Sequence, residues 1–189
     1  MTDDGLRATR LLLAARFVRS IGQGALAVDF TLYLHALGWS AVAISALLSA
    51  ALMIGVVLTL FAGPLSDRGG RRRFLFAYEV AQAVAGVAAL FSAQPWLLSA
   101  AALVGGFGRG GNGGAGPFGP VEQAWLAQAV TPSRRGPVYS LNAALGFMGN
   151  ALGAVIAAVP SSLHTVMPGA VAYRPLFLLF AAASLLAAF

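Results

Sequence analysis

The chain has 189 residues, of which 59% are hydrophobic and only 10% charged, far too apolar for a water-soluble domain, whose charged share is about 25%. All twelve basic residues are arginine and they outnumber six acidic ones, giving a formal net charge of +6; most sit in short breaks between apolar runs and not on one wet face, which reads as membrane topology and excludes a nucleic-acid partner. Absence of cysteine removes disulfides, thiolate catalysis and Cys-ligated metals, and two well-separated histidines, His35 and His164, make no metal site.

A helix crossing the bilayer core needs about 20 largely apolar residues, and six segments are expected to be such spans. The first covers about 11–37, and Gly38-Trp39-Ser40 then makes a tight turn with an interfacial tryptophan. This segment is too long, and too interrupted by Arg16, Arg19 and Asp29, to be a cleavable signal peptide. The second covers 41–65 and is separated from the third, 74–91, by the charged loop from Asp67 to Arg73. An uncharged turn, Ser92 to Pro95, leads to a fourth, glycine-rich span over 96–130, its excess length lying in the cytoplasm. The break from Thr131 to Pro137 precedes the fifth, 138–159, and a nearly neutral link leads to the sixth, 175–189, which is short for a full crossing.

Orientation follows from the arginines in short loops. Arg7, Arg10, Arg68, Arg71, Arg72, Arg73, Arg134 and Arg135 share one side, whereas the other has only Arg174. The expected fold is therefore an all-α membrane bundle of six helices with a cytoplasmic N-terminus, in the inner membrane of a bacterium.

Ionisable groups inside spans cost several kcal/mol unless paired or placed on a wet cavity, so each is a candidate for function. Arg16 lies near the inner boundary and is expected to snorkel. Asp29 lies about 15 Å beyond Arg19 on the same helix, too far to pair with it, and is a candidate proton or cation site if it faces the interior; Tyr33 follows one turn later. Arg109 lies about 20 Å deep, counted from Trp96. Asp29, Glu79 and Glu122 are the carboxylates available to neutralise it. Glu79 and Glu122 are equally open to pairing with loop arginines.

The loop after the second span reads Gly63-Pro64-Leu65-Ser66-Asp67-Arg68-Gly69-Gly70-Arg71-Arg72-Arg73-Phe74-Leu75. It closely resembles the signature G-x-L-a-D-R-x-G-R-R-x-x-L of the major facilitator superfamily, in both residues and location. Physical chemistry accounts for the pattern: Gly63 permits close helix approach, Gly69 and Gly70 permit a tight reversal, and four arginines hold Asp67 ionised. Arg109-Gly110-Gly111-Asn112-Gly113-Gly114 resembles the same family's R-x-x-Q-G-x-G pattern, with Asn112 in place of glutamine. Gly146, Gly149 and Gly153 resemble the glycine framework of its antiporter signature, but Gly153-Ala154 replaces the Gly-Pro pair, so that motif does not support antiport.

The resemblance implies the N-terminal six-helix half of a twelve-helix transporter that moves a small solute by alternating access, with protons as the coupling ion. It implies that Gly63, Asp67, Arg68, Gly70, Arg71 and Arg72 form an inner latch, and that Arg109 takes part in proton coupling, with Asp29, Asn112, Tyr33, Glu79 and Glu122 as further cavity or proton-handling candidates. The partners implied are solute, protons, the bilayer, and a C-terminal half or a second copy; no cofactor and no enzymatic activity are expected. A homodimeric pore or scaffold and an inactive truncated product remain open alternatives. Labelling or protease mapping should find the Arg71 to Arg73 turn on the cytoplasmic side, and a periplasmic location would overturn the topology.

Overall fold

The computed structural model describes residues 3–109, 116–163 and 167–188. Every regular element among these residues is helical: α1 Asp3–Ala36, α2 Ala41–Gly69, α3 Arg71–Phe91, α4 Pro95–Gly105, α5 Phe118–Ala129, α6 Arg135–Ile156, α7 Val159–Leu163 and α8 Arg174–Ala188, with short 3₁₀ turns at Pro132–Arg134 and Gly169–Tyr173. Five segments are long and apolar enough to cross a membrane, namely Gly5–Ala36, Ala41–Gly69, Arg71–Phe91, Pro132–Ser162 and Gly169–Ala188, and Pro95–Gly105 is a shorter apolar helix. The turn at Gly169–Tyr173 extends the sixth apolar segment beyond the 175–189 expected.

The reversal between α2 and α3 is tighter than the loop expected from Asp67 to Arg73. Helix α2 continues through Pro64 as far as Gly69, α3 begins at Arg71, and Gly70 alone turns the chain, at φ +89° and ψ 126°. Only glycine takes that conformation without strain. Gly69 itself is helical, so of the two glycines expected to reverse the chain, Gly70 bears the burden.

Residues 96–130, expected as one span, form two helices. Helix α4 stops at Gly105 because Gly106 turns left-handed, at φ +69° and ψ 34°, while its N–H still reaches the Ala102 carbonyl at 2.8 Å. Eight glycines between Gly105 and Gly116 make continued helix costly, at about 1 kcal/mol each relative to alanine. Helix α5 starts again after Pro117, whose missing N–H suits a helix start.

Helix α1 is the central rod, packed along α6 and α8, and α8 also lies along α3. Glycines set the closest of these approaches. A Cβ at Gly149 would come within 2.7 Å of Ser20 Cβ, and one at Gly153 within 2.7 Å of the Ala25 nitrogen. From the other side, Gly24 faces the Asn150 backbone. This is backbone-to-backbone packing of the kind that associates helices where no hydrophobic drive exists between them. Gly22 and Gly86 similarly admit α8 around Phe180 and Ala181. By contrast, a Cβ at Gly63 would meet nothing within 4 Å, so the close approach expected there is not made among the described residues.

Toward the C-terminal end of α1, Phe30, Tyr33, Phe107, Phe177 and Phe180 form an edge-on aromatic core, with Phe30 to Phe107 at 5.2 Å, Tyr33 to Phe177 at 5.0 Å and Phe107 to Phe180 at 5.1 Å. Large apolar side chains of α2 and α6, among them Met53, Leu60, Phe147, Met148 and Val155, are exposed, as expected where the solvent is hydrocarbon.

Gly153→Val should lower the melting temperature of the detergent-extracted protein, by about 1–3 kcal/mol of stability for an overpacked contact and more if the backbones are forced apart. Gly136→Ala, at a position where a Cβ meets open space, serves as control. Equal melting temperatures for both variants would contradict the α1–α6 interface.

Candidate functional site

Arg19, in the N-terminal half of α1, organises the first charged cluster. Its Nη1 donates to Glu79 Oε1 of α3 at 2.7 Å, its Nη2 donates to Glu122 Oε1 of α5, and its guanidinium carbon lies 3.8 Å from the ring centre of Phe118. All three charged residues are buried, at 2% exposure or less. Such burial is sustainable only because each charge has an opposite within hydrogen-bond reach. Arg16, one turn earlier, is also buried, with its guanidinium against the Gly146 face of α6. It therefore does not snorkel as expected; a side chain at Gly146 would occupy its seat. A cleft of about 480 Å³ runs from Glu79 and Glu122 past Leu75 and Trp125 to Arg7 and Arg72.

This arrangement corrects the expectation that Glu79 or Glu122 neutralises Arg109. Both carboxylates are engaged by Arg19, and Arg109 has no acidic partner among the described residues. Arg109 stands instead just past the end of α4. Its N–H bonds to Gly106 O at 3.1 Å, and its Nη2 reaches the Leu103 carbonyl at 3.4 Å, a cation at a helix C-terminus. Nη1 is buried with no hydrogen-bond partner among the described residues. It lines a pocket of about 280 Å³ together with Gln23 of α1, Gly55 and Thr59 of α2, and Tyr78 and Gln82 of α3. Gln82 Nε2 donates to Gly105 O at 3.1 Å, which satisfies another carbonyl at the end of α4. Phe118 lines this pocket and also covers Arg19, and its ring lies 4.6 Å from that of Tyr78. One aromatic layer thus separates the paired charges from the unpaired one.

Asp29 is buried in α1 and lines a third cleft with Gly24, Asn150 and the alanine-rich face of α6. Its Oδ2 has no hydrogen-bond partner, and no cation pairs with it, among the described residues. Tyr33, expected to share its face, points elsewhere: its ring packs on Phe177 and Tyr173, and its hydroxyl is directed at Arg174. Asn112 lies outside the described residues.

At the inner loop, Arg71 bridges two elements. Its Nη2 donates to Asp67 Oδ1 at 2.9 Å and its Nη1 to the Ala124 carbonyl at 3.0 Å. Arg135 Nε donates to Ala127 O at 3.2 Å. Two arginines thus serve carbonyls in the last turns of α5, where the helix dipole favours positive charge. Asp67 remains 61% exposed. Arg68, Arg72 and Arg73 line the groove around it with Gln128.

The sequence profile of the Major Facilitator Superfamily matches residues 12–189. The chain belongs to this superfamily. Members of the superfamily are membrane transporters, and this chain is a multi-pass membrane protein. An uncharacterized membrane protein of Saccharomyces cerevisiae is 29% identical over 153 residues, covering 81% of this chain and 34% of the yeast protein. The chain thus spans about a third of the length of the relative it matches.

Sequence reasoning singled out Arg109, Asp29, Glu79 and Glu122 by charge alone. It passed over Gln23, Tyr78 and Gln82, although two glutamines inside apolar spans are a usable signal, since a buried amide needs partners. It also left Arg19 without a partner, because pairing across three helices is set by packing and not by spacing.

Arg19→Met should destabilise the folded protein by about 3–5 kcal/mol, because it strands two buried carboxylates. Adding Glu79→Gln and Glu122→Gln should restore most of the loss, as read from denaturant unfolding in mixed micelles. A mild Arg19→Met effect that the two added substitutions leave unchanged would contradict the cluster.

Proposed function

We propose that the chain forms the N-terminal six-helix half of a secondary active transporter that moves a small solute by alternating access, driven by the proton gradient. The C-terminal half, or a second copy, supplies the facing wall of the pathway, and the arginine-bearing face lies in the cytoplasm. Family membership and the latch loop support the mechanism: Asp67, exposed and tethered to Arg71, is free to dock on an opposing half as that half rocks.

The observation that carries the proton assignment is Asp29. Of the three carboxylates within the spans, Glu79 and Glu122 are held by Arg19, whereas Asp29 faces a cleft of about 570 Å³ without a cation partner among the described residues. A carboxylate in that setting exchanges a proton at a lower electrostatic cost than one locked to a guanidinium. The resemblance gives the coupling role to Arg109, which has no adjoining carboxylate among the described residues; Arg109 belongs instead to the solute pocket.

In proteoliposomes with an imposed pH gradient, small solutes of different charge should provoke proton movement, followed with a trapped pH-sensitive dye. Asp29→Asn should lose uphill accumulation while keeping downhill solute exchange, and Asp67→Asn should lose transport altogether while remaining inserted. Wild-type uphill accumulation by Asp29→Asn would remove that residue from coupling; no solute movement of any kind by the unsubstituted protein assembled with its facing half would overturn the transporter reading.

A further inference from the structure

The pocket at the α4–α5 interruption carries a charge that the fold does not consume. Capping α4 occupies Nη2 of Arg109, at a long 3.4 Å from Leu103 O, and leaves Nη1 buried and unpartnered among the described residues. The seat is built around this group. A Cβ at Gly55 would come within 2.6 Å of Nη1, so glycine at that position leaves room for the guanidinium between α2 and α4. The Tyr78 hydroxyl is directed at Arg109 and Gln82 in the same pocket, and the Gln82 Oε1 is buried there without a hydrogen-bond partner among the described residues.

Among the described residues no acidic group competes for the site. Glu79 and Glu122 are bound to Arg19 on the far side of Phe118, Asp29 lies in a separate cleft, and residues 110–115 read Gly-Gly-Asn-Gly-Gly-Ala, without an acid. Apart from Gln23 and Thr59, the remaining wall is apolar, with Leu52, Val56, Leu60 and Phe118. A cationic ligand would meet an uncompensated guanidinium, and a neutral one would leave the charge unmatched in a low-dielectric site. A guanidinium at the bottom of an apolar pocket matches a carboxylate, sulfonate or phosphate on an apolar body.

We propose that this pocket binds a small organic anion, its acid group on Arg109 and Tyr78 and its apolar body along α2 and Phe118. The assignment rests on the transporter reading above and gives its solute a charge class. The 280 Å³ volume confines the ligand to a small molecule, since pockets for drug-sized ligands run from about 300 to 1,000 Å³.

The test uses three probes of similar size, benzenesulfonate, benzenesulfonamide and phenyltrimethylammonium. Binding to the intact protein in micelles is measured by calorimetry, and uptake is measured in proteoliposomes. Benzenesulfonate should bind and be taken up in preference to the other two. Arg109→Gln should weaken its binding about tenfold or more, for the loss of a charge-assisted contact, and Arg109→Lys should recover part of it. Tyr78→Phe keeps the ring against Phe118 and should weaken binding severalfold, so the site remains testable if Arg109→Gln fails to fold. Preference for the neutral or cationic probe, or unchanged sulfonate binding in Arg109→Gln and Tyr78→Phe, would overturn the anion assignment and leave the transporter reading standing. No uptake of any probe or of the broader solute panel would overturn both.

Discussion

A guanidinium buried in a membrane domain must find anions within the protein, and Arg19 finds two of them on different helices. That requirement ties α1, α3 and α5 together at one point of the bundle. Lipid-exposed apolar surface supplies no comparable specificity, because leucine against leucine and leucine against an acyl chain are nearly equivalent. The charged node and the glycine seam between α1 and α6 therefore do the work that a hydrophobic core does in water. One selects partners by charge, and the other by allowing backbones to touch.

The two kinds of constraint cooperate. Gly146 makes room for Arg16, one turn from Arg19, while Gly149 and Gly153 bring α6 against the backbone of α1. Tight registration of α1 against α6 in turn fixes where Arg19 meets Glu79 and Glu122. At the inner surface, Arg71 and Arg135 close off the final carbonyls of α5, so the helix that carries Glu122 is anchored at its end as well as at its middle.

Much of this was legible in the residues themselves. The all-helical class, the apolar character of the long helices and the resemblance carried by Asp67, Gly70 and Arg71 all follow from local composition and spacing, which are properties of one segment at a time. The exchange of partners was not legible: Arg109 was expected beside a carboxylate, and it is Arg19 that takes both glutamates. Pairing of charges from α1, α3 and α5 depends on helix rotation and depth, and residue order encodes neither. The α4–α5 interruption was hidden for a different reason. Apolar composition continues through 96–130, and hydropathy alone gives no weight to the backbone cost of consecutive glycines. Gly63 shows the limit of motif logic, since a side chain at the matched glycine would meet nothing within the described bundle.

The interruption also sets up a competition for one side chain. Carbonyls at the end of α4 lie where water is scarce, and Leu103 O depends on the same guanidinium that an incoming acid group would recruit. On the anion assignment, a ligand that turned the whole guanidinium toward itself would lengthen the Nη2 contact to Leu103 O, whereas one held by Nη1 alone would leave that contact in place. Occupancy would then be felt first at a helix end, without rearrangement of the surrounding rods.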